Sequence, residues 1–196
     1  MKQIVILASG KGTNTAHLIA YFNNKPIARV KAILCNVPHA GVIQVASQAG
    51  IPVMLLEKNT FYNTSIYLDL VKKMKPDLIV LAGFLWKIPV SWIEAFPRRI
   101  INIHPALLPK FGGKGMYGNH VHEAVLQAGE AYSGITIHYV NEEYDAGDII
   151  FQEKVKIEPT DTVETLAQKI HALEYQYYPQ VIAGLLTQDL AVEKTS

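Results

Sequence analysis

Aliphatic residues come in short unbroken runs through the first part of the chain: QIVILA from Gln3, VKAILCN from Val30, PVMLLE from Pro52, DLIVLAGF from Asp77 and RIINIH from Arg99. A strand with one wet face alternates apolar and polar residues, so continuous runs predict strands covered on both faces, as in a parallel sheet. Amphipathic stretches between them predict helices over 14–23, 40–49, 60–74, 88–96 and 117–128. This is the rhythm of βαβ units. Beyond residue 131 the period drops to two in SGITIHYV and GDIIFQEKVKI, joined by a turn around NEEYDAGD, which predicts an antiparallel pair appended to the parallel sheet. A final helix opens at TDTVETLAQKI. There Asp161 and Glu164 are spaced as a capping box, Val163, Leu166, Ile170, Leu173 and Tyr177 share a face, and Pro179 is expected to kink or end the helix. The expected fold is a single α/β domain over 1–196, a mostly parallel twisted sheet with helices on both faces and an antiparallel C-terminal strand pair.

Composition narrows the classes of function. A chain of 196 residues with nearly half its positions hydrophobic and a net charge of +1 can bury one substantial core. It carries no basic excess for nucleic acid or an anionic membrane. An anionic ligand must therefore be held by local groups. The lone Cys35 excludes an internal disulfide or a cysteine-based zinc site. The apolar run at the N-terminus is too short for a signal core or a membrane span, so a cytoplasmic protein is expected.

Two places break the aliphatic pattern with chemistry. ASGKGTN follows the first strand with Ser9, Gly10, Gly12, Thr13 and Asn14 and leads into a helix, an arrangement that points backbone amides at an anion. It is neither the dinucleotide fingerprint, whose third glycine is Thr15 here, nor the phosphate loop with its Gly-Lys-Ser/Thr ending. A plain glycine turn with Thr13 or Asn14 capping the helix uses the same residues. In INIHP, Asn102 and His104 lie two residues apart, hence on one face, and Pro105 ends the strand so that the imidazole projects beyond the sheet. An amide that can donate to an oxyanion beside an imidazole that titrates near neutrality suits acyl transfer. A turn-tying amide and a packed histidine fit the pair equally well. Asp145, in the glycine-containing turn YDAGD, supplies a carboxylate that could orient the histidine, or serve as an ordinary turn residue.

These segments, in this order, resemble the glycinamide ribonucleotide formyltransferase family of folate-dependent enzymes. The resemblance rests on ASGKGTN, PDLIVLAGF at 76–84, INIHPALLPKF at 101–111, GITIHYVNEEYDAGDII at 134–150 and HALEYQYYP at 171–179, which together span almost the whole chain. It implies a Rossmann-like formyltransferase fold. It also implies transfer of a formyl group from 10-formyltetrahydrofolate to the amine of 5-phosphoribosylglycinamide in purine biosynthesis, without a metal. In that frame Asn102 polarises the formyl oxygen, His104 shuttles protons and Asp145 holds His104 and raises its pKa, directly or through water. Gly12, Thr13 and Asn14 match the phosphate loop and Glu174 the position that meets the sugar. Leu85, Trp86, Lys87 and Ile88 match the wall of the folate pocket, with Asn102, Val140, Asn141 and Tyr144 on its other side. The partners implied are these small molecules, with no nucleic acid or membrane, for a monomer or a homodimer.

The chain departs from the family pattern at several points. GGKGMYGNHV lengthens the loop around 112–119, Thr64 stands where relatives often place an arginine under the folate tail, and His171 stands where glutamine or lysine is common. His120 and His122, two apart on a helix, do not converge on a metal, and His138 reads as a packed or hydrogen-bonded residue lining the site. Three related chemistries belong to the wider superfamily that shares the N-x-H-P-x-x-L-P string, and the last of the three also shares the Asn, His and Asp trio. A methionyl-tRNA formyltransferase calls for a further C-terminal domain and a basic surface, a formyltetrahydrofolate hydrolase for an N-terminal domain, and a sugar-nucleotide N-formyltransferase for a different nucleotide loop. A nucleotide-binding module without catalysis is the reading from another class.

Overall fold

The computed structural model describes residues 1–193, with side chains described through Thr187. A seven-stranded sheet runs through it in the order β3-β2-β1-β4-β5-β6-β7. The strands are β1 (Lys2–Ala8), β2 (Ala28–Cys35), β3 (Val53–Leu55), β4 (Leu78–Leu81), β5 (Ile100–His104), β6 (Tyr132–Tyr139) and β7 (Ile149–Lys156). The first five are mutually parallel, whereas β6 pairs antiparallel with β5 and β7 with β6.

The unbroken aliphatic runs are explained by burial on both sides. Ile4, Ile6 and Ala8 of β1 pack against α1 (Thr13–Asn24), α2 (Gly41–Gln48), α6 (Asn119–Gln127) and α7 (Val163–Glu193). Val5 and Leu7 of the same strand face α3 (Lys58–Asn63), α4 (Ile66–Met74) and α5 (Val90–Ala95) through Phe61, Leu68, Val71 and Trp92. The chain winds outward from β1 to β3 and then crosses back to β4 on the other side of β1. In open α/β sheets, ligands bind at such a switch point, beyond the carboxyl ends of the strands.

The structure departs from the sequence-based expectations in three details. The stretch 60–74 is two helices, because Thr64 is extended at the end of α3, its Oγ1 accepts from the Ile66 N–H at 3.3 Å, and Ser65 Oγ donates to Asp69 at 2.7 Å. Short polar side chains here capture backbone groups that a continuous helix would use. The capping box lies one residue later than expected: Thr162 and Thr165 exchange reciprocal bonds of 2.9 and 3.3 Å, while Asp161 accepts from the Glu158 N–H at 2.8 Å. Pro179 does not end α7. The most deeply buried residues along that helix fall at every fourth position, Leu166, Ile170, Glu174, Tyr178, Ile182 and Leu186, with Pro179 and Ala183 buried beside them, so packing around the proline holds its turns in place. This stripe includes two polar residues that an apolar pattern passes over. Tyr178 is fully buried and its hydroxyl donates to the Leu81 carbonyl at 2.9 Å, tying α7 to the carboxyl end of β4.

Tyr178→Phe leaves that carbonyl without its donor in a dry environment and is expected to lower stability by about 1–3 kcal/mol in urea titrations. A change below about 0.5 kcal/mol, the scatter of ordinary surface substitutions, would show that the bond does not anchor α7.

Candidate active site

The carboxyl ends of β1, β4 and β5 open into a cleft of about 860 Å³, within the range of small-molecule sites. Each strand delivers a different element to it. After β1, the loop reaches Gly12, which caps α1 in the left-handed region (φ 81°) with no side chain bonded to the helix's first amides. A Cβ on Gly12 would lie 2.7 Å from Val42 Cα, so the close seating of α2 also requires glycine. Gly12, Thr13 and Asn14 therefore face the cleft with a helix N-terminus directed into it. Ser9 joins this loop to the next: its hydroxyl donates to Asn36 Oδ1 at 2.5 Å and accepts the Leu85 N–H at 2.9 Å.

After β4, Leu85, Trp86, Lys87 and Ile88 form one wall of the other end of the cleft. Trp86 packs among Phe61, Tyr62 and Phe84. Val140, Asn141 and Tyr144 form the facing wall. Thr64 lies at the end of α3, outside the lining.

The centre of the cleft is built on β5. Asn102, His104 and Asp145, which are distant in sequence, converge there. Asp145 is a non-glycine residue at φ 53°, a conformation that Asp tolerates better than most residues. A Cβ at Gly147, two residues on, would fall 1.8 Å from the Tyr139 carbonyl, so the turn that carries the carboxylate depends on glycine. Asp145 Oδ2 accepts the Gly113 N–H at 2.9 Å and lies 3.4 Å from His104 Nδ1. Its Oδ1 accepts from Asn102 Nδ2 at 3.4 Å and stands 3.6 Å from His138 Nε2.

Hydrogen bonds fix the state of both rings. His104 Nε2 is 2.7 Å from the Phe111 carbonyl, which can only accept, so Nε2 carries a proton and Nδ1 keeps its lone pair. His138 Nδ1 donates to the Tyr139 carbonyl at 2.9 Å, leaving Nε2 to accept from Asn102 Nδ2 at 3.3 Å. The Asn102 amide is thereby oriented with its NH₂ toward His138 and Asp145.

The pKa of His104 lies below its ordinary value. Burial is the largest cause, and the upward pull of the Asp145 carboxylate offsets only part of it. This corrects the expectation of a net rise: Asp145 does raise the imidazole, but from a position that burial has depressed further. For Asp145 burial pushes upward, and the His138 and His104 rings with the Gly113 N–H outweigh it, leaving the carboxyl below its usual range.

At the α1 end of the cleft, Glu174 is buried, and its Oε2 accepts both Asn14 Nδ2 and His171 Nδ1, each at 3.0 Å. His120 and His122 are separated as the helix geometry requires, the first largely exposed and the second buried in the cleft wall. The residues that sequence reasoning missed or undervalued here are His122, the Gly113 N–H, the Phe111 carbonyl and the contact of His138 with Asn102. The first had a signal in GNHVHEA. The two backbone groups had none, because nothing in the residue types marks a main-chain group as a site component.

The formyl transferase family model matches residues 2–182. The chain belongs to that family. It is 40% identical over 190 residues to a phosphoribosylglycinamide formyltransferase of Arabidopsis thaliana, covering 94% of this chain and 65% of that protein. A Bacillus subtilis protein of the same name is 36% identical, with 95% of both chains covered. Among solved structures, glycinamide ribonucleotide transformylase 1 from Geobacillus kaustophilus superposes with a TM-score of 0.86 at 34% identity, covering 95% of this chain and 99% of that one. The seven-stranded mixed sheet is thus the formyltransferase fold. Among the described residues, no helix is long and apolar enough to cross a membrane.

The depressed pKa values have a measurable sign. Folded His104 binds fewer protons than unfolded histidine, so its contribution to stability is full above about pH 6.5 and is lost as pH falls through its folded value. Asp145, also depressed, contributes above about pH 4 and loses its effect as pH falls through its folded value. Replacing Asp145 by Asn removes the largest of the upward influences on His104, so the ring's pKa, followed by NMR of its nitrogens, should move further down. An unchanged or higher value would contradict the direct coupling.

Proposed function

We propose that this protein transfers the formyl group of 10-formyltetrahydrofolate to the amine of 5-phosphoribosylglycinamide, with Asn102, His104 and Asp145 as the catalytic residues. The observation that carries this reading is the meeting of amide, imidazole and carboxylate in a cleft that has an anion cradle at one end and an apolar wall at the other. The α1 end suits the ribonucleotide phosphate, with Gly12, Thr13 and Asn14 offering amides. Glu174 has Oε2 occupied by Asn14 and His171, which leaves Oε1 for sugar hydroxyls. The wall of Leu85, Trp86 and Ile88 suits a flat pterin. Backbone groups there and at Val140 and Asn141 supply hydrogen bonds that do not depend on side-chain identity.

In the proposed reaction the glycinamide nitrogen attacks the formyl carbon and charge develops on the formyl oxygen. One Asn102 N–H, exchanging its long 3.4 Å contact with Asp145 for the substrate, donates to that oxygen and stabilises the tetrahedral intermediate. The attacking nitrogen must lose a proton and the folate N10 must gain one as its bond to the formyl carbon breaks. His104, kept neutral by burial, takes the first proton on Nδ1 and delivers one to N10. While protonated, its Nδ1–H faces Asp145 Oδ2, so the 3.4 Å contact becomes a charge-assisted hydrogen bond. The carboxylate thereby stabilises the transient imidazolium. No net proton is consumed within the site.

Transfer of isotope-labelled formyl from the folate to the ribonucleotide tests the reading, with an amino-sugar nucleotide as the competing acceptor. Turnover with the sugar alone, or binding without turnover, would reject it. His104→Ala and Asn102→Ala should each lower kcat by ~100-fold or more with little change in ribonucleotide affinity. Rates within a few-fold of the unaltered enzyme would remove those roles. Gly12→Ala, which forces a Cβ against Val42 at a left-handed position, should instead weaken ribonucleotide binding on the order of tenfold.

A further inference from the structure

Two histidines stand at the anion end of the cleft, away from the reacting centre, and the proposed reaction uses neither. His171 is half exposed on α7 and donates through Nδ1 to the buried Glu174 at 3.0 Å. Its ring lies parallel to Tyr175, which stacks on its other neighbour, His17 of α1, at 3.8 Å. Through Glu174, His171 is two hydrogen bonds from Asn14 in the first turn of α1. His122 of α6 lines the same cleft and is 2% exposed, and its Nδ1 has no hydrogen-bond partner among the described residues. A buried polar nitrogen without a partner is costly, and at the wall of a binding cleft it marks a place where a ligand completes the bonding.

We propose that His171 and His122 form a proton-accepting wall of the cleft, and that a phosphate monoester seated at the N-terminus of α1 binds with uptake of a proton by this pair. The charges around the two rings support the coupling. Glu174 pulls the His171 imidazole up, while burial and Lys11 oppose it. His122 is held down chiefly by burial and then by His171, with Glu174 pulling up and His104 adding to the repulsion. His17 also stacks on Tyr175, at 3.8 Å, and Lys11 is exposed at the loop. In the free enzyme the two imidazoles restrain each other from charging together. A dianion arriving beside them offsets that repulsion and favours the protonated form, in a cleft where the dielectric is lower than in water. The event is a proton transfer from solvent to imidazole nitrogen, and no other bond is made or broken.

The inference rests on the anion-end part of the functional reading. It is tested without the formyl donor, so its failure is distinguishable from failure of the transfer reaction. Ribose 5-phosphate is titrated into the full-length enzyme by calorimetry at pH 7.5 in buffers of different ionisation enthalpy, with ribose as the control. At that pH the monoester is already mostly dianionic, so uptake reports on the protein. The unaltered enzyme should take up roughly half a proton per ligand, and affinity should fall by up to about tenfold per pH unit on the alkaline side of the pair's titration. His171→Gln should bind more weakly with little uptake. His171→Lys, with a fixed charge, should regain affinity at pH 8 without uptake, an outcome that a packing role for the ring would not give. His122→Asn should lower uptake and leave the melting temperature within a few degrees of the unaltered protein. Heats independent of buffer in the unaltered enzyme, or an undiminished uptake in both His171→Gln and His122→Asn, would overturn the proposal.

Discussion

The Asp145 carboxylate is the contact on which the site depends. Among the described residues it touches four groups that must be held in register: the His104 ring and the Asn102 amide from β5, His138 from β6, and the Gly113 N–H of the loop that closes over them. The buried carboxylate stays ionised because the two neighbouring rings and the Gly113 N–H together outweigh the cost of burial. The same charge sets the chemistry next to it. It pulls the His104 imidazole up, and burial outweighs that pull, so the ring stays below its ordinary pKa.

The sheet separates the tasks along the cleft. Its switch point places the end of β1 beside the end of β4, so the anion cradle and the aromatic wall are neighbours joined by one side chain, Ser9, which bonds to Asn36 on one side and the Leu85 amide on the other. β5 then sets Asn102 and His104 next to both. On the far side, α7 contributes Glu174 to the cleft and Tyr178 to the backbone of β4 from one buried stripe, so the helix that covers the sheet also lines the site. The antiparallel register opposes Asn102 with His138 and His104 with Thr136. Thr136 Oγ1 in turn donates to the Ala106 carbonyl at 2.7 Å and accepts the Leu108 N–H at 3.0 Å, fixing the chain where it leaves the strand.

The extent of what can be read in the residues alone follows from the range of the interactions involved. Continuous aliphatic runs identified the doubly covered sheet because burial on two faces acts on each strand separately. The Asn102 and His104 spacing placed both residues on one side of the strand end, where they line the cleft, because side-chain alternation is a local property of extended chain. Helix boundaries near Thr64 and Pro179 were misjudged in opposite directions: at the first, local polar bonds broke a plausible periodicity, and at the second, packing of Tyr178 and Ile182 overrode a local breaker. Glu174 and Tyr178 sat in a buried stripe whose polar members no hydrophobic pattern could reveal.

By itself the sequence determined the fold class, the order of the strands' contents and the chemical character of the residues at the strand ends, since each of these is set over a few consecutive positions. Tertiary structure alone decided that Asp145 reaches His104 from 41 positions away, that His138 orients Asn102, and that His104 titrates lower rather than higher. Those outcomes depend on register, on burial and on backbone groups such as Gly113 and Phe111. These are sums over many neighbours from distant parts of the chain, and no single stretch of residues encodes them.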